Sequence, residues 1–177
     1  MVADLGERGV ARTLRPMVLG FPEPDSDREA GEEIARRLRL LPLSDEGGLF
    51  RETHRDTYSS TIYFMLLDPM VSALHRLDGA ETYHWYAGAP LRVLLLHPDG
   101  RIEQQVLGPD IRGGQQPQLH VPAGVWQGSS SAGEWTLVGT TMAPPFDWLS
   151  FTIGDVDQLV AQYPKAATRI RALLPQA

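Results

Sequence analysis

From Gly47 to Thr141 the chain is a series of short strand-forming stretches cut by glycines, prolines and Asp-containing turns, with no helical stretch among them. Residues 61–67 are rich in strand formers and end at Asp68-Pro69. Residues 82–86 are aromatic and stop before Gly88, and residues 91–96 run into the turn sequence His97-Pro98-Asp99-Gly100. Residues 101–106 alternate, with Ile102, Gln104 and Val106 on one face. Residues 119–121 and 135–140 read as later strands. Strands in this density without crossover helices predict a mainly β antiparallel sandwich or barrel.

Helices flank this block. Asp27 is placed to cap a helix whose Glu29, Glu32 and Glu33 suit its positive end, with Ile34, Leu38 and Leu41 at helical spacing and Pro42 as its stop. Asp155 is placed to cap a second, with Val156, Leu159, Val160 and Tyr163 on one stripe, broken by Pro164, and residues 166–174 add a further turn or two. Residues 1–26, interrupted by glycine and proline, read as a flexible tail, leaving 27–177 as one domain.

The formal charge of -6 and the absence of a basic patch argue against a nucleic-acid partner. With no cysteine, disulfides, thiolate nucleophiles and sulfur ligands are excluded together. No apolar run approaches a membrane span, and the start lacks a secretory apolar core, so no membrane partner and a cytoplasmic location are expected. No glycine-rich loop precedes a helix and no nucleophile elbow is visible, which removes phosphate-loop and serine-hydrolase chemistry.

His75, Leu77, Glu81 and Gly88 have the spacing of a metal-binding strand pair, H-x-H-x3-E-x6-G, with leucine in place of the second histidine. Pro122, Gly124 and Gln127 have the spacing of its partner, P-x-G-x2-H, with glutamine in place of the last histidine. Imidazole and carboxylate suit transition metals, but leucine cannot coordinate and a neutral amide oxygen coordinates weakly. No cofactor is therefore expected, with weak metal binding at His75, Glu81 and Gln127 left open. His84 lies on the opposite strand face unless a bulge re-aims it.

The ordered segments Asp45-Glu46-Gly47-Gly48-Leu49-Phe50-Arg51-Glu52-Thr53, Ser60-Thr61-Ile62-Tyr63-Phe64, Ser72-Ala73-Leu74-His75-Arg76 and Glu81 to Gly88 resemble the cupin-5 family of the cupin superfamily, a domain of largely undefined function. Pro117-Gln118, Val121 to Gln127, Trp135 to Gly139 and Ala143 to Trp148 continue the likeness, which spans about residues 34–164. The resemblance implies a cupin jelly-roll β-barrel and a homodimer. It also implies that Gln127 is a family trait, so that metal is not bound in the common cupin manner. Departures from the pattern at Ser44 or Asp45, Ala80, Tyr83 and Pro145 lie near the implied pocket and point to a different substrate.

The candidate catalytic residues are His75, Glu81, Tyr63 and His84, with Tyr63 or Tyr83 as the source of a second proton. Arg51 is the candidate anchor for an anionic substituent, with either Arg51 or Glu52 facing inward. Tyr83, Trp85, Gln118, Trp126 and Gln127 are candidate ligand contacts, with Tyr63 and Trp148 also among the aromatic residues of the block. These residues suit an acid/base isomerase, epimerase or dehydratase acting on a small sugar- or carbonyl-like molecule. A non-catalytic small-ligand binder and a metal-dependent cupin oxygenase are the alternatives.

Overall fold

The computed structural model describes residues 28–174, so the tail expected at 1–26 and the Asp27 cap lie outside the described residues. The first helix, α1, is Arg28–Leu38. It ends before Leu41, where the sequence pattern would have carried it. Arg39 turns left-handed at φ 54°, and the Arg39 and Leu40 amides donate back to the Arg36 and Ala35 carbonyls at 3.1 and 2.9 Å. This paired closure satisfies the last helical carbonyls and stops the helix without a glycine. Leu41 and Pro42 then pair with Phe50 and Leu49.

The strands are β1 (Leu41–Pro42), β2 (Leu49–Arg55), β3 (Ser60–Leu67), β4 (Val71–Leu77), β5 (Glu81–Gly88), β6 (Leu91–Leu96), β7 (Ile102–Leu107), β8 (Gln118–Val121), β9 (Trp126–Ser131), β10 (Trp135–Met142) and β11 (Phe151–Ile153). They form two antiparallel sheets, ordered β1-β2-β3-β10-β5-β8 and β11-β4-β9-β6-β7. The sheets face each other across a core that includes Phe64, Leu66, Tyr83, Leu91, Val93 and Val138. The architecture is a mainly β jelly-roll sandwich.

Helices cover both outer faces. Ile34, Ala35 and Leu38 of α1 pack on Met65, Leu67, Trp135 and Leu137 of the first sheet. The C-terminal helices α2 (Val156–Gln162) and α3 (Ala167–Arg171) bring Leu159, Tyr163, Ile170 and Leu173 onto Leu74, Leu94 and Leu96 of the second. Asp155 caps α2 as its position suggests, its carboxylate accepting from the Gln158 amide at 2.9 Å. Where helices cover the outer face, central strands such as β3 and β6 are apolar almost throughout rather than at alternate residues. Among the described residues, no helix is long and apolar enough to cross a membrane.

Candidate functional site

A cavity of about 150 Å³ lies between the sheets. His75 and Leu77 from β4, Glu81 from β5, Thr140 and Met142 from β10, and Phe151 from β11 line it, with Phe50, Glu52 and Arg55 from β2 and Glu46 from the β1–β2 loop. The spacing of His75, Leu77 and Glu81 suggested one strand face. The chain instead crosses from the second sheet to the first between Leu77 and Glu81. The two groups meet because both point into the sandwich from opposite walls.

His75 is 2% exposed and stacks on Phe151, with ring centroids 5.2 Å apart. Its Nδ1 lies 2.9 Å from the Ala73 carbonyl. A carbonyl can only accept, so Nδ1 carries the proton and the lone pair of the neutral ring sits on Nε2. Among the described residues, the hydrogen bond His75 makes is the one at Nδ1, which leaves Nε2 as the imidazole nitrogen for the cavity.

Glu81 is held in place by its neighbours. Gln127 is paired in register with His75 on adjacent β9, and its Nε2 donates to Glu81 Oε2 at 2.8 Å. Tyr83, two residues along β5, also hydrogen-bonds Glu81, and burial followed by the nearby Glu81 and Glu46 carboxylates pushes its phenol well above the ordinary 10.0. Tyr83 is therefore a fixed donor to Glu81.

Glu46 completes the polar floor and was not among the candidate catalytic or ligand-binding residues read from the sequence. Gly47 and Gly48 follow it at φ 91° and 76°, a conformation costly for other residues. A Cβ on Gly47 would also stand 2.4 Å from the Val71 carbonyl oxygen. This reversal delivers Glu46 to β4, where its carbonyl accepts from the Ala73 amide at 2.8 Å and its carboxyl from the Ser72 hydroxyl at 2.6 Å. Part of the residue stays open to solvent while the carboxyl faces inward. Paired glycines after an acidic residue were the available signal.

Burial pushes the Glu46 carboxyl above its ordinary 4.5, with Glu81 adding to the rise and His75 and the Ser72 hydroxyl opposing it. The folded state then holds this proton more tightly than the unfolded chain. Its contribution to stability is full below pH 4.5 and is lost as pH rises through the raised value. Thermal melts across that range should show this slope in the wild type and a flatter profile in Glu46→Gln. Identical profiles for the two proteins would place the carboxyl in solvent.

Phe146, Trp148 and Phe151 form the mouth in edge-to-face contacts, Phe146–Trp148 at 4.9 Å and Trp148–Phe151 at 5.6 Å. Arg55 stands beside them, bonded to Glu52 at 2.8 Å and to the Phe146 carbonyl at 2.9 Å.

Other candidates lie elsewhere. Arg51 and Tyr63 sit on the outer face of the first sheet, the guanidinium 5.4 Å from the Tyr63 ring, which meets Tyr86 edge-on. Of the neighbours Arg51 and Glu52, it is Glu52 that faces the cavity. His84 is engaged by Gln118 and Thr141, each at 3.2 Å, away from the cavity. Trp85 packs into the intersheet core with its indole N–H on the Ala89 carbonyl. Trp126 holds Arg76 over its ring at 4.9 Å. Thus His75, Glu81, Tyr83 and Gln127 come together, whereas Arg51, Tyr63, His84, Trp85, Gln118 and Trp126 do not join them.

The donor set does not match a tightly held transition metal. Leu77 occupies a wall position without a donor, and Gln127 turns its amide nitrogen, not its oxygen, to Glu81. Among the described residues, no three His, Cys, Asp or Glu side chains are arranged to hold a metal ion.

Comparison with known proteins agrees with this architecture. A protein of Shewanella oneidensis is 30% identical with a TM-score of 0.77, over 82% of this chain and 98% of that one. A hypothetical protein from Leishmania major is 27% identical with a TM-score of 0.75, over the same shares of the two chains, 82% and 98%. Oxalate decarboxylase from Bacillus subtilis shares the fold alone, at 14% identity and a TM-score of 0.53, over 78% of this chain and 38% of that one. No curated protein matches. The family model described as Cupin superfamily (DUF985) matches residues 32–154, and with the paired sheets and intersheet cavity this places the chain in the Cupin_5 family of the cupin superfamily.

Proposed function

We propose that this cupin moves protons on a small polar, carbonyl- or sugar-like molecule, in an isomerisation, epimerisation or dehydration that needs no metal. One observation carries the reading. Among the described residues, the His75 Nε2 lone pair has no hydrogen-bond partner, in a cavity it shares with two acidic side chains, Glu46 and Glu81.

The parts divide the work by chemistry. His75 takes a proton from a carbon next to a carbonyl through Nε2, its ring fixed by Ala73 and Phe151. Glu46, whose burial favours the protonated form, gives a proton to the developing oxyanion. Glu81, anchored by Gln127 and Tyr83, offsets the imidazolium charge that forms. Proton return to a different atom or face completes an isomerisation.

A second reading, ligand binding without turnover, has its own support. Glu81 is already engaged by two neighbours and makes no hydrogen bond to His75. Incubation in deuterated water with small aldoses, ketoses and hydroxy ketones, after dialysis against a chelator, separates the two. Proton transfer gives carbon-bound deuterium by NMR in at least one compound. Binding shifts without deuterium uptake would favour the binder, and exchange that appears only on adding iron or manganese would favour a metal enzyme.

A further inference from the structure

The charge and shape of the cavity narrow what it accepts. Glu46, Glu52 and Glu81 line it, against a single permanently cationic side chain, Arg55. Arg55 is already held by Glu52 at 2.8 Å and by the Phe146 carbonyl at 2.9 Å. No permanently cationic lining group is therefore free to neutralise an anion, and Arg51, the residue expected to do so, lies on the outer face of the sheet.

The mouth adds a second, independent preference. Phe146, Trp148 and Phe151 meet edge to face, and Trp148 remains 55% exposed at the rim. The faces of such rings attract cations, with tryptophan the strongest, by about 0.5–2 kcal/mol. The floor also holds a polar atom awaiting a donor. His75 is 2% exposed, and among the described residues its Nε2 has no hydrogen-bond partner.

We infer that the cavity takes a compact organic cation, an amine-bearing alcohol or carbonyl compound. Its ammonium group lies between the aromatic mouth and the Glu81 carboxyl, and its hydroxyl or ammonium N–H donates to His75 Nε2. The volume of about 150 Å³ limits the guest, since a cavity of about that size holds a molecule comparable to benzene. This assignment rests on the reading of the cavity as a small-molecule site and adds the charge of the molecule.

Calorimetric or NMR titration of the full chain with choline, the uncharged carbon isostere of choline, and acetate tests it. Choline is expected to bind at least about tenfold more tightly than its isostere, the difference a desolvated cation–π contact supplies. Acetate is expected not to bind. Glu81→Gln should weaken choline and leave the isostere nearly unchanged. Because Glu81 is buried, Trp148→Ala provides a rim variant that leaves the core untouched, and it should weaken choline several-fold with an unaltered melting temperature. Isostere or acetate binding as tightly as choline would overturn the cation assignment while leaving the cavity a ligand site. Binding by none of the three would overturn the cation assignment too, while deuterium exchange with sugars would still stand as a separate test of proton transfer.

Discussion

Replacing His75 with alanine is expected to lower substrate deuterium exchange by about two to four orders of magnitude, the usual contribution of a positioned general base. The size follows from how fully the ring is committed. It is 2% exposed, its Nδ1 is tied to Ala73, and one face lies against Phe151, so Nε2 has a single fixed direction. No neighbour replaces it. Glu81 is occupied by Gln127 and Tyr83, and His84 sits on the outer sheet face between Gln118 and Thr141. Removal also leaves the Ala73 carbonyl without its donor, a loss of about 1–3 kcal/mol in stability. Added imidazole distinguishes the effects. It should restore part of the exchange by entering the vacated space, which it would not do if the variant were merely unstable. Wild-type exchange rates in a folded His75→Ala protein would remove His75 from the chemistry.

The largest expected loss of stability comes from Trp135→Ala, about 3–5 kcal/mol. Trp135 is 1% exposed on β10 and is the side chain on which α1 closes. A Cβ added to Gly31 of α1 would stand 2.6 Å from its Cγ, and one added to Gly88 of β5 would stand 2.6 Å from both its ring and its carbonyl oxygen. The two glycines thus let a helix and a strand approach the indole from different sides. Alanine at 135 empties that space, and the melting temperature should fall by roughly 10 °C. Gly88→Ala should also be strongly destabilising, because φ is 81° and the backbone oxygen of Trp135 blocks the methyl. Melts by circular dichroism that stay within about 2 °C of wild type would show that α1 docking does not depend on this contact.

The strands from β3 to β10 were largely legible because Asp-Pro, Asp-Gly and Gly punctuation marks their ends. Strand β9 was less so. Trp126-Gln127-Gly128-Ser129-Ser130-Ser131 has little intrinsic strand preference, yet it lies between β4 and β6. Its small residues are needed there, since a Cβ on Gly128 would come within 3.1 Å of Leu173 and Leu74. Packing of the C-terminal helices on the second sheet overrode local propensity.

The site was legible in part for a related reason. The pattern brought His75, Glu81 and Gln127 together, and Tyr83 joined them. It did not reveal which face of β2, β3 or β5 looks inward, because α1 covers the outer face of the first sheet and apolar residues occupy both sides. Arg51, Tyr63 and His84 therefore lie on the outside. Glu46 depends on the left-handed path of Gly47 and Gly48 and on a long-range contact with Ser72, neither of which periodicity encodes.

The claim on which the rest depends is that the cavity presents a free imidazole lone pair. Long-range nitrogen–proton NMR of histidine-labelled protein, with His75→Gln to assign the signals, reads the tautomer directly. The structure requires the neutral ring to carry its proton on Nδ1, with an unprotonated Nε2 whose signal moves when a ligand enters. A His75 ring with its neutral-state proton on Nε2, or an Nε2 signal unmoved by a bound ligand, would contradict it.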